Sequence, residues 1–562
     1  MKNKKSFLNF LFRPRGQIII ALLLFSTIAI AQEQIPPQDE FIVGAPFSAI
    51  LERRSEEIYY NSYYQTDMNT MLQYAVRGLN SNQGYMQGHN LLPCNNDPGD
   101  WIMYYSTCYY TKWEAEQDQT EQSRVGIKNN GGQKVFWDNA WCWSTGNIIS
   151  PTPAFIYGPH YRQDNRYKGW AHGENRYDVR YYPRFRMGLE NQQNADLEIE
   201  VCKIKVVYSY RKWESEGVYG DSVCVFREKT LTVGDFPQND HLEYFTFDYP
   251  NDYYKYPPQF QLPDYAGKVD PEIEDNYPIY EDSYSYQGIQ FVVDWLIDNQ
   301  EESSLTLYVD NIEVFDKDWI AYIQNPQRVA DSIQGYASKY SDWDNIRYWL
   351  GHDEPYSIDA FTPIRIVDSL LNDIDAPRMT CIFNPYWTYD DNLINGDTLL
   401  SQYVRMANPE KLFIDFYPFA TEYPFRFTDA EQLRLRFQLC NTLRPGFWYM
   451  AQSFGEFYDD GNNNWIPYVW RYPEEGELKA SVMLALAHGS KGIFFWMYDS
   501  WKYRGEDYGL PYETYYQKGL VDTLDNNQLN PTPLWYTVKD NLVNRLKGKL
   551  GKTLLGLDYR IE

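Results

Sequence analysis

The chain has 562 residues, with 77 acidic and 51 basic side chains and a formal charge of −26. With no compensating Lys/Arg cluster, that balance argues against nucleic acid and anionic lipid as partners and favours neutral ones. Aromatic residues make up 18% of the sequence, including 52 Tyr and 18 Trp. These side chains join a flat apolar face to a polar edge, which suits stacking on sugar rings, although a Tyr-rich β surface would give the same composition.

Residues 1–31 read as an export signal. Lys2, Lys4, Lys5, Arg13 and Arg15 form a basic front, an apolar run covers 18–30, and Ala29-Ile30-Ala31 places small residues at the cleavage positions. The apolar run is short and poorly flanked for a membrane span, so an uncleaved anchor is only the alternative. The expected location is extracellular, periplasmic or cell-surface, after cleavage near Ala31. Seven Cys permit disulfides and leave at least one thiol over, and no CxxC pair or Cys/His grouping has zinc-site spacing.

Residues 32–103 read as the first segment of a barrel. Phe41-Ile42-Val43-Gly44-Ala45-Pro46 is strand-like, and Met68, Met71, Leu72, Ala75 and Val76 predict a helix over 67–79. From 104 to 317 the pattern is β, with alternating segments at 109–116, 177–187, 195–210, 222–233, 288–297 and 305–315, as in an all-β sandwich. The Pro-, Tyr- and Asp-rich stretch 251–286 reads as a long loop. From 318 to 562 strands and helices alternate. Helices are predicted at 326–340, 358–371, 429–443, 475–487 and 533–550. Strands are predicted up to Asp353-Glu354 and at 378–383, 411–416, 446–451 and 491–496, with a strand-like end at 554–561. Such alternation implies a parallel sheet. About five strands here and one to three near the N-terminus predict a (β/α)8 TIM-type barrel interrupted by an inserted, jelly-roll-like β-sandwich, an α/β plus all-β chain. The alternative is a small N-terminal cap followed by an incomplete α/β domain.

The segment Ile346-Arg347-Tyr348-Trp349-Leu350-Gly351-His352-Asp353-Glu354-Pro355 is an apolar strand that ends on two adjacent carboxylates. In a parallel barrel that is where catalytic acids emerge. In an extended segment Asp353 and Glu354 would point to opposite sides, which implies two roles. The other strand ends are also polar and aromatic. They offer Asn384 and Trp387, Asp415 and Tyr417, Gln452 and Glu456, then Trp496, Tyr498, Asp499 and Trp501. Glycosidic cleavage needs two carboxyl functions, or one carboxyl and a substrate group. Glu354 is assigned as general acid, its pKa raised by Asp353 and the aromatic surround. Asp353 is its ionised partner, and Asp415, Glu456 or Asp499 is the source of a nucleophile or base. His352 is read as a proton partner or a strand-end hydrogen bonder. His352, Asn384, Trp387, Tyr417, Gln452, Trp496, Tyr498, Asp499 and Trp501 are expected to line the sugar pocket.

Gly351-His352-Asp353-Glu354-Pro355, Asp415-Phe416-Tyr417-Pro418, Ala451-Gln452-Ser453-Phe454-Gly455 and Ala485-Leu486-Ala487-His488-Gly489-Ser490-Lys491-Gly492-Ile493 resemble glycoside-hydrolase barrels. In many of these an Ala-x-Ala-x-Gly-x-Lys-Gly pattern feeds the last strand. The adjacent Asp-Glu before Pro is similar to β-N-acetylgalactosaminidase-type enzymes, a resemblance covering roughly 340–505. It implies that Glu354 is the acid and that Asp353 steers the substrate's acetamido group as nucleophile. The chain departs from many retaining barrels in carrying Gln452 where they have a nucleophilic Glu at the seventh strand. That leaves substrate assistance, an inverting pair, a displaced Glu456, or binding without cleavage. Trp113-Glu114-Ala115-Glu116 and Tyr308-Val309-Asp310-Asn311-Ile312-Glu313-Val314 resemble jelly-roll carbohydrate-binding modules. That resemblance implies a structural Ca²⁺ held by Glu114, Glu116 and Asp310. No catalytic cofactor is expected. The reading is a secreted glycoside hydrolase-like protein acting on a poly- or oligosaccharide. The alternative is a non-catalytic polysaccharide-binding or cell-surface protein using the same cleft.

Overall fold

The computed structural model describes residues 39–48, 56–74, 86, 88–94, 99–114, 128–129, 133–146, 154–157, 181–215, 218–238, 240–247, 288–297, 304–355, 358–384, 399–421, 430–462, 464–505, 512–522 and 530–557. The expected export signal, the 251–286 loop, Glu116 and Trp387 lie outside them.

Parallel strands supply the central sheet. They are β1 (Ile42–Ser48), β2 (Thr70–Tyr74), β3 (Asn90–Pro93), β4 (Trp349–Leu350), β5 (Met379–Thr380 continuing as Ile382–Phe383), β6 (Phe413–Phe416), β7 (Trp448–Gln452) and β8 (Gly492–Trp496). A seven-stranded sheet runs β5-β6-β7-β8-β1-β2-β3, every pair parallel, in TIM-type order. β4 pairs in parallel with the start of β5. Just before β4, Arg347 donates its N–H to Leu91 O at 3.0 Å, and Leu91 in β3 donates to Asn345 O at 2.8 Å. Helices Glu56–Tyr64, Trp101–Ser106, Pro326–Ser338, Ile358–Asn372, Leu399–Ala407, Ala430–Leu443 and Glu475–Ala487 alternate with these strands.

Side-chain parity divides the core in two. Ile42, Leu72, Leu92, Leu350, Ile382, Phe413, Trp448, Met450 and Phe494 form one buried cluster. The intervening Val43, Met71, Leu91, Trp349, Phe383, Ile414, Tyr449 and Ile493 join a second cluster with the helices. Strands buried on both faces read as unbroken apolar runs. That explains one correction: part of the helix predicted at 67–79 is strand β2, because Met71 and Leu72 are both buried on opposite sides, and the helix precedes it at Glu56–Tyr64. A second correction concerns 554–561. Leu554 and Leu555 end the helix Lys549–Leu555, whose last carbonyls accept from the Lys491 ammonium, a favourable cation at a helix C-terminus.

Two antiparallel sheets lie between β3 and β4 in the chain. One runs Val218–Thr232, Glu200–Ser215, Gly288–Trp295, Ala154–Tyr157, Lys128–Asn129. The other runs Glu243–Phe245, Tyr181–Glu190, Thr306–Asp316, Ala140–Ser144, Gln133–Trp137, and Tyr110–Glu114 also pairs with Thr306–Asp316. The two ends of this stretch are tied together. Asp316 donates its N–H to Tyr109 O at 3.0 Å, and its carboxylate accepts from Tyr109 N–H at 2.8 Å and Trp319 N–H at 2.8 Å. Cys202 and Cys224 lie on neighbouring strands, but Cys202 faces Leu231 and Cys224 faces Tyr208. That offset of several residues, at about 3.3 Å per residue, is too long for a disulfide. The six described cysteines, Cys94, Cys108, Cys142, Cys202, Cys381 and Cys440, are buried thiols. Among the described residues no helix is long and apolar enough to cross a membrane.

A buried cation sits beneath β6. Lys411 is 5% exposed, donates to Gly446 O at 3.3 Å and lies 5.4 Å from the Trp448 ring. Burial, aided by Lys491 and Arg444 and opposed by Glu410, lowers its pKa to about 8. Between about 8 and 10.5 the unfolded chain holds a proton that the folded chain has released, so this group makes stability rise with pH across that window. Below it the full penalty is present. Lys411→Met is therefore expected to raise stability at pH 7 by about 1–3 kcal/mol, and the gain should shrink towards pH 10.5. Urea midpoints of both proteins at pH 7 and pH 10 check this.

Candidate functional site

The inward-facing row continues past the apolar cluster into polar side chains at the C-terminal ends of three successive strands. Parity places Asn384 above Ile382 and Asp415 above Phe413, and the turn after β4 brings Glu354 beside them. Gly351 allows this packing, since a Cβ there would meet Met379 Sδ at 2.5 Å and Cys381 Sγ at 3.1 Å. The Asp353-Glu354 pair is not extended, which corrects the simple two-sided expectation. Glu354 is left-handed, with φ of +44°, and its N–H donates to Ile382 O at 2.9 Å. A non-glycine residue held in that region signals local strain stabilised by its surroundings.

The turn sets the Glu354 carboxyl against two partners. Asn384 Nδ2 donates to Glu354 Oε1 at 2.9 Å. The Asp415 carboxyl, 3% exposed, lies near Glu354, with the charge of Asp353 also close. Burial first, and then Glu354, drive the Asp415 pKa well above the ordinary carboxylate range, while the Tyr417 hydroxyl opposes the rise. That direction keeps the Asp415 carboxyl protonated to higher pH than an ordinary aspartate. Aromatic rings wall this centre. Tyr417 lies edge-on to Phe454 at 5.1 Å and to Trp470 at 5.9 Å. Trp496, half-buried at the end of β8, packs on the inward cluster.

Other expected site residues fall elsewhere. His352 is fully buried, edge-on to Tyr109 at 6.2 Å. The Tyr498 hydroxyl is 2.6 Å from Ser62 Oγ in the helix layer. Asp499 is fully buried where its backbone bridges Val521. Gln452 stands at the end of β7 with its amide committed to the backbone. Oε1 accepts from Phe419 N–H at 2.7 Å, and Nε2 faces Phe419 O at 3.1 Å, Arg471 O at 3.0 Å and Phe454 O at 3.3 Å. It clamps three loop segments. Gln452→Glu would turn a carboxylate towards those carbonyls, and leaving them unpaired should cost about 2–4 kcal/mol. A fall in the urea midpoint with no gain in turnover checks this.

Glu456 and Trp501 lie on a four-stranded antiparallel sheet in the order Trp465–Pro467, Gly455–Asp459, Thr514–Lys518, Trp501–Arg504. Glu456 is buried there under the Tyr503 hydroxyl, and desolvation raises its pKa against hydrogen bonds from Tyr503 and Gln517. Trp470 and Phe454 were not singled out as site residues from the sequence. Trp470 lies in an irregular stretch that no strand-end pattern marks.

Of the proposed calcium ligands, Glu116 lies outside the described residues, Asp310 is ion-paired with Arg186 at 2.5 Å, and Glu114 with Lys112 at 2.5 Å. No grouping of three or more His, Cys, Asp or Glu among the described residues is placed to hold a metal ion.

No protein-family model matches the sequence, and no curated protein matches it significantly. Among solved structures the chain is similar to a polyextremophilic beta-galactosidase from the Antarctic haloarchaeon Halorubrum lacusprofundi, at 12% identity and a TM-score of 0.25 over 42% of each chain. It is likewise similar to a GH42 beta-galactosidase from G. stearothermophilus, at 12% identity and a TM-score of 0.25, over 41% of this chain and 39% of that one. The chain thus spans about two fifths of the length of these structures. At that TM-score the likeness carries no argument about chemistry.

Proposed function

We propose that the chain is a glycoside hydrolase whose acid is the Glu354–Asp415 carboxyl pair, at the mouth of a closed (β/α)8 barrel with the antiparallel region as an inserted sandwich. The observation that carries this reading is the gathering of Glu354, Asn384 and Asp415 at three successive strand ends, with Asn384 bonded to Glu354 and Asp415 perturbed by it. Hydrogen bonds linking β3 to the segment before β4, and β4 to β5, support closure. The raised pKa of Asp415 makes it a poor nucleophile, and Gln452 supplies none. Both facts favour one acid working with a group of the substrate.

In this mechanism Glu354 gives the pair's proton to the glycosidic oxygen as the bond breaks, and Asn384 fixes its orientation. Asp353 orients the 2-acetamido group, whose carbonyl oxygen attacks the anomeric carbon. Water then opens the cyclic intermediate as Glu354 takes the proton back. Tyr417, Phe454, Trp470 and Trp496 supply ring faces for the sugar. Residues 1–31 act as the export signal, placing the protein outside the cytoplasm.

Aryl β-N-acetylhexosaminides and the matching aryl hexosides, incubated with the chain lacking residues 1–31, test the proposal. Release of the aryl alcohol from the N-acetyl substrates alone supports it. Glycan binding without turnover of any member favours the non-catalytic alternative, which the committed amide of Gln452 also permits.

A further inference from the structure

The two longest strands of the antiparallel region end as an arm. Among the described residues, Gly288–Trp295 accompanies Glu200–Ser215 only from Cys202 to Ser209. The pairing of Glu200–Ser215 with Val218–Thr232 runs on, from Tyr210 facing Ser222 to Ser215 facing Val218. This outer part is a ribbon of two strands, roughly 20 Å long at the usual rise per residue. A ribbon of two strands is marginally stable in water by itself and is secured by a further strand or a packed face.

Val218–Thr232 is also the edge of its five-stranded sheet among the described residues. Edges are commonly kept from pairing by being short, or by charges and proline. This one has 15 residues, and Ser222-Val223-Cys224-Val225-Phe226 within it carries neither. A bulge at Phe226, where Val206 faces Arg227 and Val207 faces Val225, sharpens the twist but adds no charge. The arm is neutral as a whole on a chain of charge −26. Residues 208–230 hold four bases, Arg211, Lys212, Arg227 and Lys229, and four acids, Glu214, Glu216, Asp221 and Glu228. A polyionic partner finds no attracting field there, and two acidic copies repel each other least through such a patch.

We propose that the arm joins two copies of the chain. Val218–Thr232 of each copy pairs antiparallel along its outer edge, about a two-fold axis at Cys224, so that the two sheets run on as one. An open edge takes a further strand through its backbone groups, and identical edges meeting antiparallel are self-complementary about a two-fold. Charge selects the register. About Cys224, Asp221 stands opposite the second copy's Arg227, and the same pair recurs across the axis. Val223 stands opposite Val225, and Val218 opposite Thr230. Opposite charges directly across a strand pair stabilise it, and like charges destabilise it. This pairing does not depend on the glycoside reading.

Sedimentation velocity over a concentration series, on the chain without residues 1–31, tests this and should show a monomer–dimer equilibrium. Asp221→Arg and Arg227→Asp each set like charges opposite one another on both sides of the axis. Each should raise the dimer Kd on the order of tenfold. The double swap Asp221→Arg/Arg227→Asp restores opposite pairs and should return the Kd close to its native value, which residues that merely support the fold would not do. Oxidation of the native protein by diamide gives a readout that needs no charge variant. Antiparallel neighbours stand about 4.5–5.5 Å apart at Cα, a span a disulfide can bridge, and the other six cysteines are buried. A cross-linked dimer should appear on non-reducing electrophoresis, and Cys224→Ser should remove it. A monomer at every concentration, as when another segment of this chain or a different protein covers the edge, would overturn the assignment. So would a dimer that both charge reversals leave unchanged, one that the double swap fails to restore, or one that diamide does not cross-link through Cys224.

Discussion

Asp415→Asn is expected to give a protein that is more stable at pH 7 and inactive on glycosides. The native carboxyl is buried against Glu354, and its pKa is raised by that burial and that neighbour. Above the ordinary value of 3.8 the unfolded chain releases this proton while the folded chain keeps it. Stability from this group is therefore fully present below that value and declines as pH rises towards the folded pKa. An amide in place of the carboxyl donates to Glu354 without titrating, so the decline disappears. Relief of a destabilised site is commonly worth about 0.5–2 kcal/mol. Urea midpoints at pH 4 and pH 7 should converge for the variant and diverge for the native protein. An unchanged pH dependence in the variant would show that Asp415 does not hold the proton.

Glu354→Gln should abolish most turnover while leaving the fold intact. The side chain is half-buried and accepts from Asn384, and a Gln oxygen accepts the same hydrogen bond. Gln cannot deliver a proton, so the loss reads the acid's contribution, typically about 10²–10⁴-fold in kcat. Since the ring contacts are untouched, KM should move little, which is the pattern of an interaction made only in the transition state. Steady-state kinetics on an aryl N-acetylhexosaminide check both values.

Much of the parallel sheet was legible because its strands are buried on both faces and its helices alternate with them. The same two-sided burial made Met71 and Leu72 look helical, since periodicity alone does not separate a short apolar strand from a buried helix. The site was partly legible. Asp353-Glu354, Asn384 and Asp415 stand at strand ends that a barrel must bring together, but the Asn384–Glu354 bond depends on the left-handed turn at Glu354 and the register through β5, which residue types do not encode. Gln452 shows the opposite case. Its type and place fit a pocket, yet four backbone groups claim its amide. The aromatic wall depends on Trp470, from a segment folded back onto Phe419 and Glu456, and no local pattern announces that return.

The most direct test of Glu354 as the acid is the leaving-group dependence of hydrolysis. Glu354→Gln and the native protein would be compared on aryl N-acetylhexosaminides whose phenols span a range of acidity. A general acid is needed most when the departing oxygen is basic. The predicted result is a deficit in Glu354→Gln that is small for the most acidic phenol and grows steadily as the phenol becomes less acidic. A deficit of the same size for every phenol, or turnover that survives the substitution throughout, would contradict the assignment.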